Sequence, residues 1–236
     1  MTSTHLPGDG GLDDQVPFLA RLEQDDRDAL LALGRVLPFA ARAPLIHQHE
    51  PSSHVLLILH GWTKVTACAA NGYVALLALR GPGDIVGESA ALTGRTRSAT
   101  VTALEPVHAR AVERERFKEF LDQRPAASFA LLSLTSDRTR AADRRRLEYA
   151  SMNVRERFAT LLLDLARLHG RRTEEGIELA VPLSKQELAG SVGASREMVQ
   201  RLLRELRDRK AVTTGRRALV IIRPEVLRRI AHTERL

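Results

Sequence analysis

The beginning of the chain changes from a stretch without pattern to short amphipathic helices. Residues 1–16 are rich in Gly, Asp and Thr and have no hydrophobic period, so we expect a flexible lead-in. From Pro17 to Leu37 the apolar positions recur at helical spacing, which predicts short helices. The positions that define this pattern are Leu19, Leu22, Leu30, Leu31 and Val36.

Between Ala43 and Val112 the pattern changes to short apolar runs such as HVLLIL, KVTACA and YVALLAL. The runs are separated by Gly61, by Asn71-Gly72 and by Gly81-Pro82-Gly83. Short apolar and β-branched runs between Gly, Asn and Pro are typical of strands that are joined by turns. We therefore predict an antiparallel β-barrel or sandwich of about eight strands.

A helical stretch from Arg114 to Leu168 follows, broken near Pro125 and again near Asn153. Its middle segment, residues 126–150, begins apolar, becomes highly charged and then resumes an apolar stripe. An isolated helix of this length needs a packing partner. The partner is either the same helix of a second copy or the barrel of its own chain, and the pattern leaves both open.

The C-terminal part of the chain predicts a succession of short elements. Periodicity and turn residues indicate a helix, a strand, two further helices, a hairpin and a closing helix after Pro224. In residue numbers the first five are 155–168, 177–182, 185–192, 195–208 and 211–222.

The most specific pattern in the chain lies in residues 183–209. Ser184 stands three residues before Glu187, which is the spacing of a capping box at the start of a helix. Gly193 is a turn residue that tolerates positive φ, and Ser195 can cap the helix that follows. This segment predicts a helix-turn-helix.

The second helix of this motif has an apolar face and a polar face. The apolar positions are Val199, Leu202, Leu203 and Leu206, and the polar positions are Arg196, Glu197, Gln200, Arg201 and Arg204. Arginine can donate two hydrogen bonds to guanine, and glutamate can accept one from the cytosine amino group. These residue types near the start of the second helix indicate base recognition in the DNA major groove. We expect Arg216 and Arg217, in the following hairpin, near backbone phosphates.

The net charge of +7 supports this interpretation because the positive excess is local. Residues 1–154 contain 18 Lys/Arg and 18 Asp/Glu, whereas residues 155–236 contain 18 Lys/Arg and 11 Asp/Glu. A solvated basic surface would explain the charge alone, but the excess coincides with the helix-turn-helix, where DNA phosphates would bind.

Length and composition define the class of protein. The 236 residues are enough for two domains that each bury a core. No apolar run approaches the roughly 20 residues of a membrane span, and the N-terminus lacks a secretion pattern, so we expect a cytoplasmic protein without membrane contact. The single cysteine, Cys68, excludes an internal disulfide and a four-thiolate metal or iron–sulfur site within one chain.

Other candidate chemistry is weak. His47, His49, His54 and His60 cluster in the early strands, and we expect His47 and His49 on one strand face. No thiolate or carboxylate set completes a metal or haem site there. Cys68 is interpreted as a small strand residue. The sequence has no nucleophile elbow, P-loop or zinc-hydrolase spacing, so we do not expect an enzyme.

Together these features resemble the CRP/FNR family, the bacterial regulators related to the cyclic-AMP receptor protein and FNR. The resemblance covers about residues 17–230 and rests on two motifs. Ser195-Arg196-Glu197 followed by Arg201 is similar to the Ser-Arg-Glu-x-x-x-Arg pattern of the family. The segment GPGDIVGESAALTGRTRSAT, residues 81–100, is similar to the phosphate-binding cassette, a Gly-Glu pair followed by Arg-Ser-Ala.

The resemblance implies an α+β fold. It consists of an N-terminal β-barrel of the cyclic-nucleotide-binding, jelly-roll type, a long dimerisation helix and a C-terminal winged helix-turn-helix. In this chain the sensor domain would span residues 17–125, the dimerisation helix and hinge residues 126–152, and the DNA-binding domain residues 153–236.

The resemblance also implies a homodimer that binds an inverted repeat similar to TGTGA-N6-TCACA and contacts RNA polymerase. Arg196 and Arg201 would then read guanines and Glu197 a cytosine. The full DNA-binding set is Lys185, Ser195, Arg196, Glu197, Gln200, Arg201 and Arg204. Met198 replaces a small polar residue that is usual in the best-known member.

For the cassette, the resemblance implies a cyclic nucleotide as effector, with no required cofactor. A cyclic phosphate needs a guanidinium and hydroxyl or amide donors, which Arg97, Ser98 and the amide of Ala99 could supply. Glu88 could accept from the ribose 2′-hydroxyl. Gly87 and Ser89 complete the expected ligand-binding set, and the glycine lets the backbone approach the ligand.

Two positions depart from the cyclic-AMP pattern. Ala142 and Asp143 stand where cyclic-AMP binders carry Thr followed by Ser or Asn, and the Ala142 side chain can neither donate nor accept a hydrogen bond. The effector is therefore cyclic AMP, another cyclic nucleotide, or none, as in a constitutive regulator. Asn153 replaces the usual hinge aspartate and can cap the helix that begins at Val154. A nucleotide-binding module that acts through protein contacts is the other functional alternative.

Overall fold

The computed structural model of the protein describes residues 16–179, 181, 183–215 and 219–232. The expected flexible lead-in therefore lies outside the described residues, except for Val16. Arg216 and Arg217, which we expected near DNA phosphates, also lie outside them.

The N-terminal helices are shorter than the sequence pattern predicted. A 3-10 helix spans Phe18–Arg21 and helix α1 spans Gln24–Leu31, but Arg35–Phe39 is strand β1. The predicted helix around Val36 is thus wrong. Gly34 separates the two structures with φ 67°, and a Cβ at this residue would come within 1.9 Å of the Ala111 carbonyl oxygen. The helix ends before this close approach, and β1 then pairs with the strand that contains Ala111.

The sensor domain has eight strands in two four-stranded antiparallel sheets, which confirms the prediction of about eight strands. After β1, the strands are β2 Pro44–Ile46, β3 Val55–His60, β4 Thr63–Cys68, β5 Val74–Arg80, β6 Ile85–Val86, β7 Thr100–Ala103 and β8 Val107–Val112. One sheet has the order β1-β8-β3-β6 and the other the order β2-β7-β4-β5. Strand β3 is buried through its first four residues and lies between β8 and β6 in the first sheet.

Two smaller expectations for this domain have different outcomes. Cys68 is the exposed last residue of β4, as expected of a small strand residue. The expected shared strand face of His47 and His49 is wrong, because β2 ends at Ile46 and His49 has φ 68°. A backbone in that conformation leaves the extended region and turns the chain away from the sheet.

Three helices accompany the barrel, one within residues 81–100 and two after its last strand. Helix α2 spans Glu88–Thr93, α3 spans Arg114–Gln123 and α4 spans Pro125–Ser151. The sequence pattern predicted the break between α3 and α4, which falls at Arg124 because Pro125 is tolerated in the first turn of a helix. It did not predict α2, whose six residues are too few to show a helical period.

The N-terminal half of α4 packs against its own domain. Four of its buried side chains join the core of the 3-10 helix, α1 and α3, and they are Ala127, Ala130, Leu131 and Leu134. On the other side Phe129 is 72% exposed, Leu132 62% and Leu147 68%. The helix therefore packs on its own chain through one face, which is one of the two alternatives that the sequence left open. Another face carries large apolar side chains that nothing in this chain covers among the described residues.

The C-terminal domain begins with α5, Val154–His169. The elements that follow are β9 Gly170–Thr173, β10 Gly176–Leu179, α6 Lys185–Val192, α7 Arg196–Asp208, β11 Val212–Thr214, β12 Leu219–Ile221 and α8 Pro224–His232. Their sheet has the order β11-β12-β10-β9. The sequence pattern missed β9, whose four residues are all exposed and therefore lack an apolar alternation. The expected strand 177–182 ends at Leu179, and positions 180 and 182 lie outside the described residues.

Asn153 marks the junction between α4 and α5. Its side chain accepts hydrogen bonds from the backbone of Arg155 and Glu156, while the Glu156 carboxylate accepts from the Asn153 backbone. This capping box confirms the expected cap and begins a new helix after the break at Met152. Among the helices of the described residues, none is long and apolar enough to cross a membrane.

Candidate functional site

The helix-turn-helix forms from strong local signals. Ser184 accepts from the backbone N–H of Glu187 at 3.2 Å, and the Glu187 carboxylate accepts from the Ser184 backbone at 2.7 Å. Gly193 ends α6 with φ 65°, and the Ser195 hydroxyl accepts from the Met198 backbone at the start of α7. The caps and the turn that the sequence predicted are confirmed, and they fix where α7 begins.

The two faces of α7 are divided as the sequence predicted. Val199, Leu202, Leu203 and Leu206 are buried in the core of the domain, with Phe158, Leu162 and Leu188 among their neighbours. The predicted DNA-contacting side chains are all exposed, and they are Lys185, Ser195, Arg196, Glu197, Gln200, Arg201 and Arg204. The structure thus exposes the whole set to solvent, with Lys185 at the start of α6 and the others at the start of α7 and along it.

The electrostatics of this surface suit hydrogen bonding to bases. The backbone N–H of Glu197 and the Ser195 side chain hydrogen-bond to the Glu197 carboxylate and hold its pKa below the ordinary value. Glu197 is therefore an acceptor at neutral pH. Arg201 contacts the Met198 sulfur at 2.8 Å, so Met198 helps to hold this arginine beside the first turn.

The wing beside α7 is a short antiparallel pair, β11 with β12. The Arg207 guanidinium donates to the Thr214 hydroxyl at 3.3 Å and connects the end of α7 to the wing. Residues 216–218 at the tip lie outside the described residues.

The predicted cassette is a separate site on the sensor domain. Within its residues 81–100, Gly87 follows β6 with φ 84° and precedes α2, and Gly94 ends that helix with φ 72°. These two left-handed glycines bound the short helix and were the available signal for it. Glu88 opens α2, Ser89 and Ser98 are exposed, and Ala99 is partly buried.

Arg97 is the buried centre of the cassette and is only 2% exposed. Its Nη1 donates to the Gly87 carbonyl at 2.9 Å, its Nη2 to the His54 carbonyl at 2.6 Å and its Nε to the Ser52 hydroxyl at 3.0 Å. Burial lowers the pKa of the Arg97 guanidinium, and burial together with Arg97 lowers the pKa of His54. The guanidinium is thus directed towards carbonyl groups of its own chain.

Arg138 of α4 is a cassette residue that the sequence analysis missed. Its Nη1 contacts the Glu88 carboxylate at 2.7 Å, and its Nη2 donates to the Ile85 carbonyl at 3.0 Å. The side chains of Arg138 and Glu88 are only 16% and 13% exposed. The available sequence signal for Arg138 was its position beside the buried residues of an amphipathic helix. Its partner Glu88 lies 50 residues away in the chain, so the pattern of α4 alone could not identify the pair.

Ala142 and Asp143 lie one turn further along α4 and are both exposed. The Asp143 carboxylate accepts from Arg146 at 2.8 Å, an exposed pair within one helix. Neither residue is drawn into the contacts of Glu88 and Arg97 that the structure describes.

Two family descriptions match the chain. The cyclic nucleotide-binding domain matches residues 36–124, and the Crp-like helix-turn-helix domain matches residues 156–230. The chain belongs to the CRP/FNR family. As a member, it is a transcription regulator that combines a DNA-binding helix-turn-helix with a domain of the cyclic-nucleotide-binding type.

Named CRP relatives and a solved structure are similar to this chain in sequence or in fold. The CRP-like cAMP-activated global transcriptional regulator of Mycobacterium tuberculosis is 28% identical over 182 residues, which are 77% of this chain and 81% of the relative. The cyclic AMP receptor protein of Thermus thermophilus is 26% identical and covers 91% of this chain and 96% of its own length. FixK2 from Bradyrhizobium japonicum has a similar fold, with a TM-score of 0.74 at 20% identity over 84% of this chain and 97% of its own.

Replacing Arg97 tests how strongly the cassette depends on its buried guanidinium. Arg97→Met preserves the length of the side chain but leaves the carbonyls of Gly87 and His54 without their donor. We expect the free energy of unfolding of the sensor domain to fall by about 1–3 kcal/mol. The measurement is urea denaturation followed by circular dichroism.

Arg95→Met is the matched control, because Arg95 is exposed two residues earlier. Its unfolding midpoint should equal that of the wild type. Equal midpoints for both methionine variants would show that the Arg97 hydrogen bonds do not stabilise the domain.

Proposed function

We propose that this regulator binds DNA as a homodimer, at an inverted repeat similar to TGTGA-N6-TCACA. The observation that carries the proposal is the exposed polar face of α7, which begins at a capped N-terminus. In a helix-turn-helix the N-terminal residues of the second helix contact base edges, and its positive dipole end faces phosphate.

The role of each residue follows from its chemistry. Arg196 and Arg201 donate to the O6 and N7 atoms of guanines, and Glu197 accepts from a cytosine amino group. Lys185, Ser195, Gln200 and Arg204 are the surrounding contacts to bases or backbone in this proposal. The local positive charge of the domain adds sequence-independent attraction to phosphate.

The exposed face of α4 supports the homodimer. Phe129, Leu132 and Leu147 are each more than half exposed although they are large and apolar. Packing against the same helix of a second copy would remove them from water. Two copies related by a twofold axis would present two copies of α7 to the two half-sites of an inverted repeat.

A cyclic nucleotide is the proposed effector, and RNA polymerase is the proposed protein partner. Named relatives are cAMP-activated regulators, and residues 36–124 match a cyclic nucleotide-binding domain. In the proposal the ligand contacts the Gly87-Glu88-Ser89 and Arg97-Ser98-Ala99 segments, and its binding shifts α4 and the hinge at Asn153. Residues 17–125, 126–152 and 153–236 would then act as sensor, dimerisation helix with hinge, and DNA-binding domain.

A regulator without an effector is the second candidate, and two observations favour it. The Arg97 guanidinium already donates to three groups of its own chain and is 2% exposed, so a ligand phosphate would have to reach a buried side chain that has two of its five N–H groups left. The exposed Ala142 also lacks a polar group for a purine base. These features are consistent with a cassette that is stable without a nucleotide.

Arg196→Ala tests the DNA interface. It should cost about 1–3 kcal/mol in affinity for the intact repeat and relax discrimination at the guanine that Arg196 contacts. Fluorescence anisotropy at fixed salt, with the intact repeat, a half-site base change and a scrambled duplex, measures both effects. Arg146→Ala on the exposed surface of α4 removes the same charge outside the DNA-binding domain and should change neither.

The proposed recognition is wrong if wild-type protein binds the scrambled duplex as tightly as the intact repeat. It is also wrong if Arg196→Ala weakens binding to all duplexes equally, since that result describes a contact to phosphate alone.

The same titration in the presence of cyclic AMP or cyclic GMP separates the two candidate modes of control. We expect one nucleotide to raise the affinity of the wild-type protein for the intact repeat and to leave the scrambled duplex unaffected. An affinity that is high and indifferent to both nucleotides would assign the chain to the effector-independent alternative.

A further inference from the structure

The DNA-binding domain is docked on the sensor domain of its own chain. The docking surface is the hairpin of β4 and β5, and the docked element is α6, the first helix of the helix-turn-helix. Lys64 of β4 contacts the Glu187 carboxylate of α6 at 2.5 Å, with only 24% and 16% of the two side chains exposed. The Tyr73 hydroxyl, at the turn of the hairpin, contacts the Gly190 carbonyl at 3.4 Å.

Glu187 has two roles in this contact. One of its carboxylate oxygens caps α6 through the Ser184 backbone, while the other accepts from Lys64. Burial alone would raise the pKa of Glu187, but hydrogen bonds from Lys64 and Ser184 hold it below the ordinary value. The docked arrangement therefore favours the charged carboxylate and a half-buried ion pair between the two domains.

Gly190 permits the close approach of α6 to the hairpin. A Cβ at this position would lie 2.8 Å from the Val74 carbonyl oxygen and 3.5 Å from the Leu76 nitrogen. Both are backbone atoms of β5 and cannot rotate away. In a free helix glycine is less favourable than alanine, so this glycine is destabilising unless the helix is docked.

A second contact lies at the other end of the same surface. Trp62, just before β4, stacks edge-on against His169 at the end of α5, with 4.6 Å between the ring centres. Gly81 makes room for the indole, since a Cβ there would meet the Trp62 ring at 2.6 Å. The His169 Nδ1 is buried and has no hydrogen-bond partner among the described residues.

We propose that the β4–β5 hairpin and Trp62 form a latch that holds the DNA-binding domain on its own sensor domain, and that protonation of His169 opens it. The latch fixes the orientation of α7 without covering it, because the polar face of α7 stays exposed in the docked arrangement. It is a property of the single chain and does not depend on the proposed DNA sequence or effector.

The protonation step follows from the surroundings of His169. Burial and, next, the positive charge of Arg80 in β5 lower the pKa of the imidazole from 6.5 to about 4. Release into water restores the ordinary pKa, so the released form binds a proton more readily than the docked form. The contribution of His169 to docking is therefore complete above pH 6.5, and it is lost as the pH falls towards 4.

Two partly buried carboxyl groups, one in α4 and one in α5, respond to pH in the opposite direction from His169. Burial raises the pKa of Asp164 in α5 and, together with Asp164, the pKa of Glu148 in α4. The surrounding charges are Arg144, Arg145, Arg157 and Arg167. Acid therefore favours burial of these carboxyl groups while it disfavours burial of His169. A test must isolate the histidine.

Trp62 provides the measurement, because it is the single tryptophan of the chain and lies in the latch. Gly190→Ala should release the hairpin, shift the emission of Trp62 to longer wavelength and increase its quenching by acrylamide. Gln186→Ala, at an exposed position of the same helix, is the matched control and should leave both unchanged. Circular dichroism verifies that both variants of the full chain are folded.

Lys64→Met is the second variant, because it keeps the alkyl packing and removes only the charge that contacts Glu187. It should shift the emission of Trp62 to longer wavelength and increase its quenching by acrylamide, as Gly190→Ala does. The latch is refuted if Gly190→Ala is folded, leaves Trp62 unchanged and is more stable than the wild type, as expected for a free helix. It is equally refuted if Lys64→Met leaves the emission and quenching of Trp62 unchanged.

The pH dependence is tested with His169→Phe, which keeps an aromatic ring against Trp62 and cannot be protonated. Between pH 7.5 and 5.5 the ratio of released to docked wild-type protein should rise about tenfold through His169. Emission wavelength and acrylamide quenching are the readouts. Emission intensity is not used, because an imidazolium beside tryptophan lowers it directly, whether or not the domains separate. The His169→Phe protein should lack this rise. An equal acid response in both proteins would overturn the role of His169.

Discussion

The ion pair between Arg138 and Glu88 is the contact on which the arrangement of the molecule depends. It joins the long helix α4 to the first residue of α2 at 2.7 Å, and both side chains are largely removed from water. Loss of one partner would leave a poorly solvated charge, so the pair constrains the position of α4 relative to the cassette. The same helix continues to Tyr149, whose hydroxyl donates to the Ser191 carbonyl of α6 at 3.0 Å. One continuous helix therefore contacts both the cassette and the helix-turn-helix.

The parts that the sequence predicted correctly have local causes. The capping boxes at Ser184 and Asn153 need only residues three positions apart, and Gly193 supplies its own left-handed turn. The two faces of α7 follow from helical periodicity alone. The turns of the barrel were marked by glycine, asparagine and proline. The predicted DNA-contacting residues of α7 could be placed on its exposed face for this reason, although their roles stay predictions.

The parts that the sequence did not predict depend on distant partners. β1 forms because it pairs with β8, 68 to 76 positions away, whereas its own residues suggested a helix. The inward direction of Arg97 depends on carbonyls of Gly87 and His54, which carry no side-chain signal. Lys64 and Glu187 are 123 residues apart, and neither carries a local signal for this pairing, since Glu187 was predicted only as a helix cap. Long-range pairing, rather than propensity, decided these features.

The buried cassette also limits how an effector could act. A ligand shifts a conformational equilibrium only through the difference in its binding free energy between the two states. An anion that took Arg97 from the carbonyls of Gly87 and His54 would leave those acceptors to be satisfied elsewhere, so the cassette would have to rearrange. A hydroxyl that engaged Glu88 would compete directly with Arg138 of α4. Because α4 also contacts α6, a change at Glu88 has a physical route to the DNA-binding domain, whose α6 is held at the same time by Lys64 of the β4–β5 hairpin.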